Sequence, residues 1–223
     1  MGDRAAKDAL FDGFAEIGKA LANGRRAEVV DVLAQGERHV EGIAEEIGQS
    51  VANTSFHLRG LAGTGLVTTR PEGNRVYYRL ASDRVVALWA AVRHVAVAHH
   101  PELDQLTAAY LGNRRGIDEI TRVELAPRIA AGDVIVIDVR PAPEFASGHI
   151  TDARSIPIEE LGAEIRSLPG GVEVVAYCRG TFCVFADDAV RQLRRRGRPA
   201  RRLEDGFPEW RSAGLPVSTG LPA

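Results

Sequence analysis

Cysteine is scarce. The 223 residues hold two, Cys178 and Cys183, too few for a disulfide framework. That usage fits a reducing, cytoplasmic setting, where a cysteine pair is more often catalytic or redox-active than structural. Long apolar runs are missing as well. None approaches the roughly 20 residues of a membrane span, so no membrane is expected as a partner. The first twelve residues carry Asp3, Asp8 and Asp12 and lack the apolar stretch of a secretory signal. No repeat or low-complexity tract interrupts the chain. An excess of either charge is absent too: the net charge is −2, which does not announce a nucleic-acid binder. The hydrophobic content of 45% excludes wholesale disorder, and the length fits one large domain or two small ones.

Charge is distributed more tellingly than it is summed. Residues 48–80 carry Arg59, Arg70, Arg75 and Arg79 against Glu72 alone. A local basic patch on a slightly acidic chain suits a modest, salt-sensitive contact with DNA phosphates.

The first hundred residues read as helices with one hairpin. Phe11, Phe14, Ile17 and Leu21 recur at helical steps, which predicts an amphipathic helix. Short helices are expected at 40–47 and 51–61, with Ser50 as N-cap of the second. The β-rich runs 66–70 and 75–80 flank Pro71-Glu72-Gly73-Asn74 and predict a hairpin. A further helix should cover 85–98. Pro101 then forces a boundary, a short helix follows at 102–111, and the polar joint 112–116 reads as a linker. Beyond it the pattern changes. Val134 to Val139 and Val172 to Tyr177 are β-branched runs of the kind buried on both faces of a parallel sheet. Helical stretches are expected at 143–147, 158–168 and 184–196. Alternating strands and helices make an α/β domain. The expected organisation is therefore a winged helix-turn-helix (α+β) domain at 1–100, a linker at 101–115, and an α/β domain with a parallel sheet at 116–223.

Two short helices joined by Gly48-Gln49-Ser50 have the size of a helix-turn-helix, whose second helix enters the major groove. Its outward candidates are Asn53, Ser55, Phe56, His57 and Arg59, groups suited to base edges and phosphates. The hairpin would be a wing, with Arg70, Asn74 and Arg75 reaching the DNA backbone or an adjacent minor groove. On periodicity alone an ordinary helical bundle fits equally well. Segments 20–26, Ser55-Phe56-His57-Leu58-Arg59-Gly60-Leu61, Gly65-Leu66-Val67 and 73–78 resemble the ArsR-type winged-helix repressors. The resemblance covers about residues 8–98. It implies a homodimer on two-fold double-stranded operator DNA, with the first and last helices at the interface. Many relatives sense metals through thiolates before the recognition helix. Here that segment reads Arg38-His39-Val40-Glu41-Gly42-Ile43, and the first half has no cysteine, so no soft-metal thiolate site is expected there. His94, His99 and His100 are read as solvated or interface residues. No metal ligands and no cofactor are assigned.

Cys178 follows the strand 172–177, and Arg179-Gly180-Thr181-Phe182-Cys183 leads into the helix from 184. Such a strand-to-helix loop aims backbone N–H groups and the helix dipole at the thiolate or at a persulfide anion. Arg179 adds cationic character and Gly180 permits curvature. The alternative is that both cysteines are small buried hydrophobes. The segments Val136-Ile137-Asp138-Val139-Arg140, Gly148-His149-Ile150, Tyr177-Cys178-Arg179-Gly180, Leu203-Glu204-Asp205-Gly206, Trp210 and Gly214-Leu215-Pro216-Val217 resemble a single rhodanese domain over about 116–217. The resemblance implies sulfur transfer through a persulfide on Cys178, with sulfane-sulfur donors or thiols as partners. Asp138 and Arg140 are expected to brace the strand end, Trp210 to pack, and the arginines from Arg191 to Arg202 to form a solvated face, with an anionic thiol donor or partner as the alternative occupant. Asp152 replaces the family's usual glycine. Phosphatases of this fold place an arginine six residues after the cysteine. Val184 stands there, so a phosphate loses its bidentate partner. Cys183 also replaces the arginine that often ends the sulfurtransferase loop, which supplies a second thiol instead.

The fusion reads as a repressor that senses reactive sulfur by persulfide or bridge formation at Cys178 and Cys183. In that reading Cys178, deepest in the amide cradle, is the faster-reacting thiol. Two alternatives stand beside it: a sulfurtransferase tethered to a DNA-binding domain, and a metal- or metalloid-responsive repressor.

Overall fold

The computed structural model describes residues 2–220. The chain forms two compact units, one up to Val92 and one from Arg93 onward.

In the first unit α1 (Arg4–Leu21) begins where the Asp3 side chain accepts the Ala5 amide, and α2 (Gly24–Ala34) where Asn23 accepts that of Arg26. These side chains satisfy amides that a helix start leaves open. Then come β1 (Arg38–His39), α3 (Val40–Glu46) and α4 (Val51–Gly63), with Ser50 capping α4 through the Asn53 amide. β2 (Val67–Glu72) and β3 (Arg75–Leu80) form the hairpin, and the antiparallel sheet runs β1-β3-β2. The turn is shorter than expected. Glu72 pairs with Arg75, leaving Gly73-Asn74 as a two-residue loop with Gly73 at φ +60°. Pro71 lies within β2, which tolerates it as an edge strand because its missing N–H faces no partner. Val29, Val30, Leu33, Ile43, Leu58 and Leu61 make the core. α5 (Asp83–His99) follows. The amphipathic reading of α1 holds for its helix but not for its burial: Phe11 and Phe14 are 59% and 62% exposed.

The second unit continues with α6 (Leu103–Leu111), β4 (Glu119–Ile120), α7 (Arg122–Ala131), β5 (Val134–Asp138), α8 (Ala142–Ser147), β6 (His149–Ile150) and β7 (Arg154–Ser155). Next are α9 (Leu161–Glu164) with a 3-10 turn at Ile165–Ser167, β8 (Glu173–Tyr177), α10 (Phe185–Arg195), β9 (Ala200–Leu203), α11 (Phe207–Ser212) and β10 (Val217–Ser218). Five strands form a parallel sheet in the order β4-β9-β8-β5-β7. β8 buries both faces. Val174 and Ala176 join a cluster with Ile137, Leu161, Ala189 and Leu193, while Val175 and Tyr177 join one with Leu125, Phe145, Phe207 and Trp210. This is why the strand reads as an unbroken apolar run.

The bracing pair at the end of β5 is present. Arg140 and Asp138 are both fully buried and lie 2.6 Å apart, and Arg140 Nη2 also donates to the Gly148 carbonyl at 2.7 Å. Burial opposes the charge on Arg140, and Asp138 restores it. Trp210 packs in the core and donates to the Pro216 carbonyl at 3.0 Å. Asp152 has φ +67°, the left-handed conformation that a glycine adopts without strain. The solvated arginine face is corrected at Arg202. It lies on β9, is fully buried, and pairs with buried Asp187 at 3.2 Å. Its neighbour Arg201 pairs with Glu173 at 2.9 Å.

Candidate functional site

β8 delivers Cys178 to the C-terminal edge of the parallel sheet, and residues 178–184 curve from there into α10. Gly180 turns the loop at φ +147°, and the Cys183 amide donates to the Gly180 carbonyl at 3.1 Å. Two further bonds pin it: the Phe207 amide to the Cys178 carbonyl at 3.2 Å, and Thr181 Oγ1 to the Glu204 carbonyl at 3.3 Å. Phe182 is half-buried. Gly206 supplies the remaining wall. A Cβ there would fall 2.3 Å from the Gly180 nitrogen and 2.4 Å from the Arg179 carbonyl carbon. Only a residue without a side chain permits that approach.

The two thiols differ sharply. Cys178 is 1% exposed and belongs to the core cluster with Ile137, Val139 and Ala186, whereas Cys183 borders that cluster and is half-buried. Cys178 Sγ faces the carbonyls of Gly180 at 3.8 Å and Cys183 at 3.7 Å. Burial pushes the Cys178 thiol well up, its hydrogen bond to Cys183 adds to this, and the Gly180 and Ala186 backbone offsets only part. That same hydrogen bond brings Cys183 down to about 7, against the effect of its own burial, with help from the Phe185 and Arg179 backbone and the Arg179 charge. At Cys178 the Gly180 and Ala186 backbone favours the thiolate, and desolvation works against it.

Arg179 does not lie free beside the sulfur atoms. Its guanidinium grips the buried Glu144 carboxylate of α8 at 2.5 Å. Arg114, on the polar joint, reaches Asp187 at 2.6 Å and the Cys183 carbonyl at 3.3 Å. Arg191 of α10 donates to the Asn113 carbonyl at 2.8 Å. The joint is therefore tied to the helix that starts at the cysteine loop. The sequence reading missed Glu144, Gly206, Arg114 and Asp187. Of these, Gly206 carried a signal, standing in the Leu203-Glu204-Asp205-Gly206 motif.

In the winged unit α4 presents Asn53, Phe56 and Arg59 to solvent, with Ser55 half-buried. His57 is a correction. It is 8% exposed and lies on the buried stripe Thr54, His57, Leu58 and Leu61, set by helical spacing. Asn74 and Arg75 are exposed at the wing tip. Arg70 is exposed yet bound to Glu37 at 2.7 Å and to Glu72, and these carboxylates raise its pKa further. His94, His99 and His100 are exposed. Among the described residues no group of three histidine, cysteine, aspartate or glutamate side chains is placed to hold a metal ion.

Comparison with known proteins matches the family "Bacterial regulatory protein, arsR family" over residues 23–69 and the "Rhodanese-like domain" over residues 121–213. The chain is similar to the HTH-type transcriptional regulator Rv0324 of Mycobacterium tuberculosis, 48% identical over 99% of this chain and 97% of that protein. A protein named sulfurtransferase, from Allochromatium vinosum, is 30% identical over 45% of this chain and 94% of its own. A solved fragment from Mycobacterium bovis, described as a homodimeric winged helix-turn-helix DNA-binding domain, is 48% identical. It covers 45% of this chain and 93% of the fragment, with a TM-score of 0.42. The chain belongs to the ArsR-family transcriptional regulators that carry a rhodanese-like domain after the winged helix-turn-helix.

Proposed function

We propose that this regulator is a homodimeric repressor whose grip on double-stranded operator DNA is set by reactive sulfur, through a persulfide or a bridge at Cys178 and Cys183. The observation that carries the reading is that both cysteines of the chain share one strand-to-helix loop, with Cys178 Sγ donating to the Cys183 carbonyl at 3.7 Å. A sulfane-sulfur donor oxidises such a pair without any cofactor. Asn53, Ser55, Phe56 and Arg59 of α4 supply the groove contacts, and Asn74, Arg75 and, after release from Glu37, Arg70 supply phosphate contacts. The homodimer reading draws support from Leu10, Phe11 and Phe14 of α1 and Val95 of α5, large apolar side chains left exposed.

The test uses operator duplexes selected from a random pool. Inorganic polysulfide should change the affinity of the parent protein. The doubly substituted Cys178→Ser, Cys183→Ser protein should bind the same duplex and ignore the donor. Persulfidation that leaves DNA affinity unchanged would identify a tethered sulfurtransferase instead. DNA release by a metal ion without a sulfur adduct would identify a metal-responsive repressor.

A further inference from the structure

We infer that Arg114 couples the cysteine loop to the joint at 112–116, so that a sulfur adduct on Cys178 loosens that joint. This rests on the sulfur-sensing reading above and names the element that carries its signal. The carrying observation is one carbonyl with two donors. The Cys183 carbonyl accepts from Cys178 Sγ at 3.7 Å and from Arg114 Nη2 at 3.3 Å. The first donor is the reacting thiol. The second belongs to a residue that precedes the rhodanese-like match at 121–213. Arg114 is held there by Asp187, whose fully buried carboxylate lies 2.6 Å from its Nε. Asp187 stands in the first turn of α10 and also meets buried Arg202 at 3.2 Å. Two arginines of α10 seat the same joint. Arg191 donates to the Asn113 carbonyl at 2.8 Å, and Arg194 donates to the Gly116 carbonyl. Within the joint the Arg115 amide donates to Asn113 Oδ1 at 2.8 Å and the Ile117 amide to the Arg114 carbonyl at 3.1 Å. A segment whose composition reads as a linker is thus pinned, at Asn113, Arg114 and Gly116, to the helix that leaves the cysteine loop.

Sulfur chemistry removes the first donor and fills its place. With a hydrogen polysulfide as the oxidant, Cys178 gives its proton to a solvent base and its thiolate attacks the terminal sulfur of the donor. A Sγ–S bond forms and the donor S–S bond breaks. Hydrosulfide, or a shortened polysulfide, leaves with the electron pair, so the cysteine sulfur is oxidised and the leaving sulfur reduced. Sγ then carries sulfur where it carried hydrogen. A S–S bond is about 2.05 Å long, while Sγ stands 3.8 Å from the Gly180 carbonyl and 3.7 Å from that of Cys183. A sulfur atom does not fit between Sγ and these oxygens. Core side chains of Ile137, Val139 and Ala186 occupy the strand side of the thiol, and a packed core resists added volume. The loop is the side that gives. As the Cys183 peptide turns, its carbonyl leaves Arg114. Asp187 follows in the same loop-to-helix passage, so the movement reaches both anchors of Arg114.

The experiment is hydrogen–deuterium exchange, read by peptide-level mass spectrometry, on the full-length protein before and after sodium polysulfide, with the adduct confirmed by intact mass. In the parent the peptide spanning 112–118, which holds the bonded Arg115 and Ile117 amides, should exchange about fivefold faster after treatment. Cys178→Ser should show no such change. Arg114→Gln should exchange at the fast rate already in the reduced protein and gain little on treatment. A fully modified parent with an unchanged joint overturns the coupling. So does an Arg114→Gln joint that still responds like the parent, or a Cys178→Ser joint that opens. If Arg114→Gln melts well below the parent, the comparison of parent with Cys178→Ser decides alone. Failure is separable from failure of the functional reading. DNA affinity that responds while the joint stays protected sinks only the coupling. A joint that opens with DNA affinity unmoved sinks only the sensing role, and a protein that takes up no sulfur sinks both.

Discussion

Gly206 presses on Gly180 so closely that a methyl group on its α-carbon would lie 2.3 Å from the Gly180 nitrogen. The cysteine loop is thus shaped from outside by a backbone that shares no secondary structure with it. Gly206→Ala cannot be absorbed by a side-chain shift, because the atoms it meets are backbone. It should cost about 1–3 kcal/mol in chemical denaturation. It should also raise the alkylation rate of Cys178, by lifting the loop from the thiol. An unchanged denaturation midpoint would show that the loop has slack.

Removing the buried donor should make its neighbour less acidic. In Cys178→Ala the hydrogen bond that lowers Cys183 is gone, so the midpoint of Cys183 alkylation should rise from about 7 toward the ordinary range near about 8.5. The thiolate fraction at pH 7 falls, but a more basic thiolate is a better nucleophile. The net loss of rate should be about threefold. Cys178→Ser retains a donor and should shift the midpoint less. Iodoacetamide rates against pH read both, and a midpoint that stays near 7 in the alanine variant would contradict the coupling.

Wing arginines should separate by their partners. Arg75→Ala should weaken binding to all duplexes alike and reduce the salt slope by about one charge. Arg70 must first leave Glu37 and Glu72, so Arg70→Ala should cost less affinity than Arg75→Ala. Fluorescence anisotropy at several salt concentrations measures both. Equal losses would show that the Glu37 pair does not compete with DNA.

The Asp138–Arg140 pair should be costly to break. Asp138→Ala leaves an uncompensated guanidinium at the end of β5, and about 3–5 kcal/mol of stability should be lost. Urea denaturation monitored in the second unit checks it. A loss below about 1 kcal/mol would mean that the partners left to Arg140, the Gly148 carbonyl among them, satisfy it.

Much of this architecture is legible in the residues. The β-branched runs of β5 and β8, the Ser50 cap and the hairpin flanking Gly73-Asn74 follow from local rules that the tertiary structure leaves intact. β9 was hidden because its sequence, Ala-Arg-Arg-Leu, carries two charges. Arg202 is buried only because Asp187, fifteen positions earlier, meets it across the fold. His57 was misplaced for a similar reason, since polarity suggested the groove while spacing from Leu58 and Leu61 put it inside. The cysteine loop was legible as a motif. How deeply each thiol is buried was not, because that depends on residues brought in from β5 and α10.

The most direct measurement is a titration of one operator-bound sample with sodium polysulfide. Anisotropy and intact mass are read on the same aliquots. The account predicts that the fraction of protein with altered DNA affinity tracks the fraction carrying a sulfur adduct or a Cys178–Cys183 bridge, point for point. A protein fully modified at these cysteines that binds its operator with the affinity of the reduced form would contradict it.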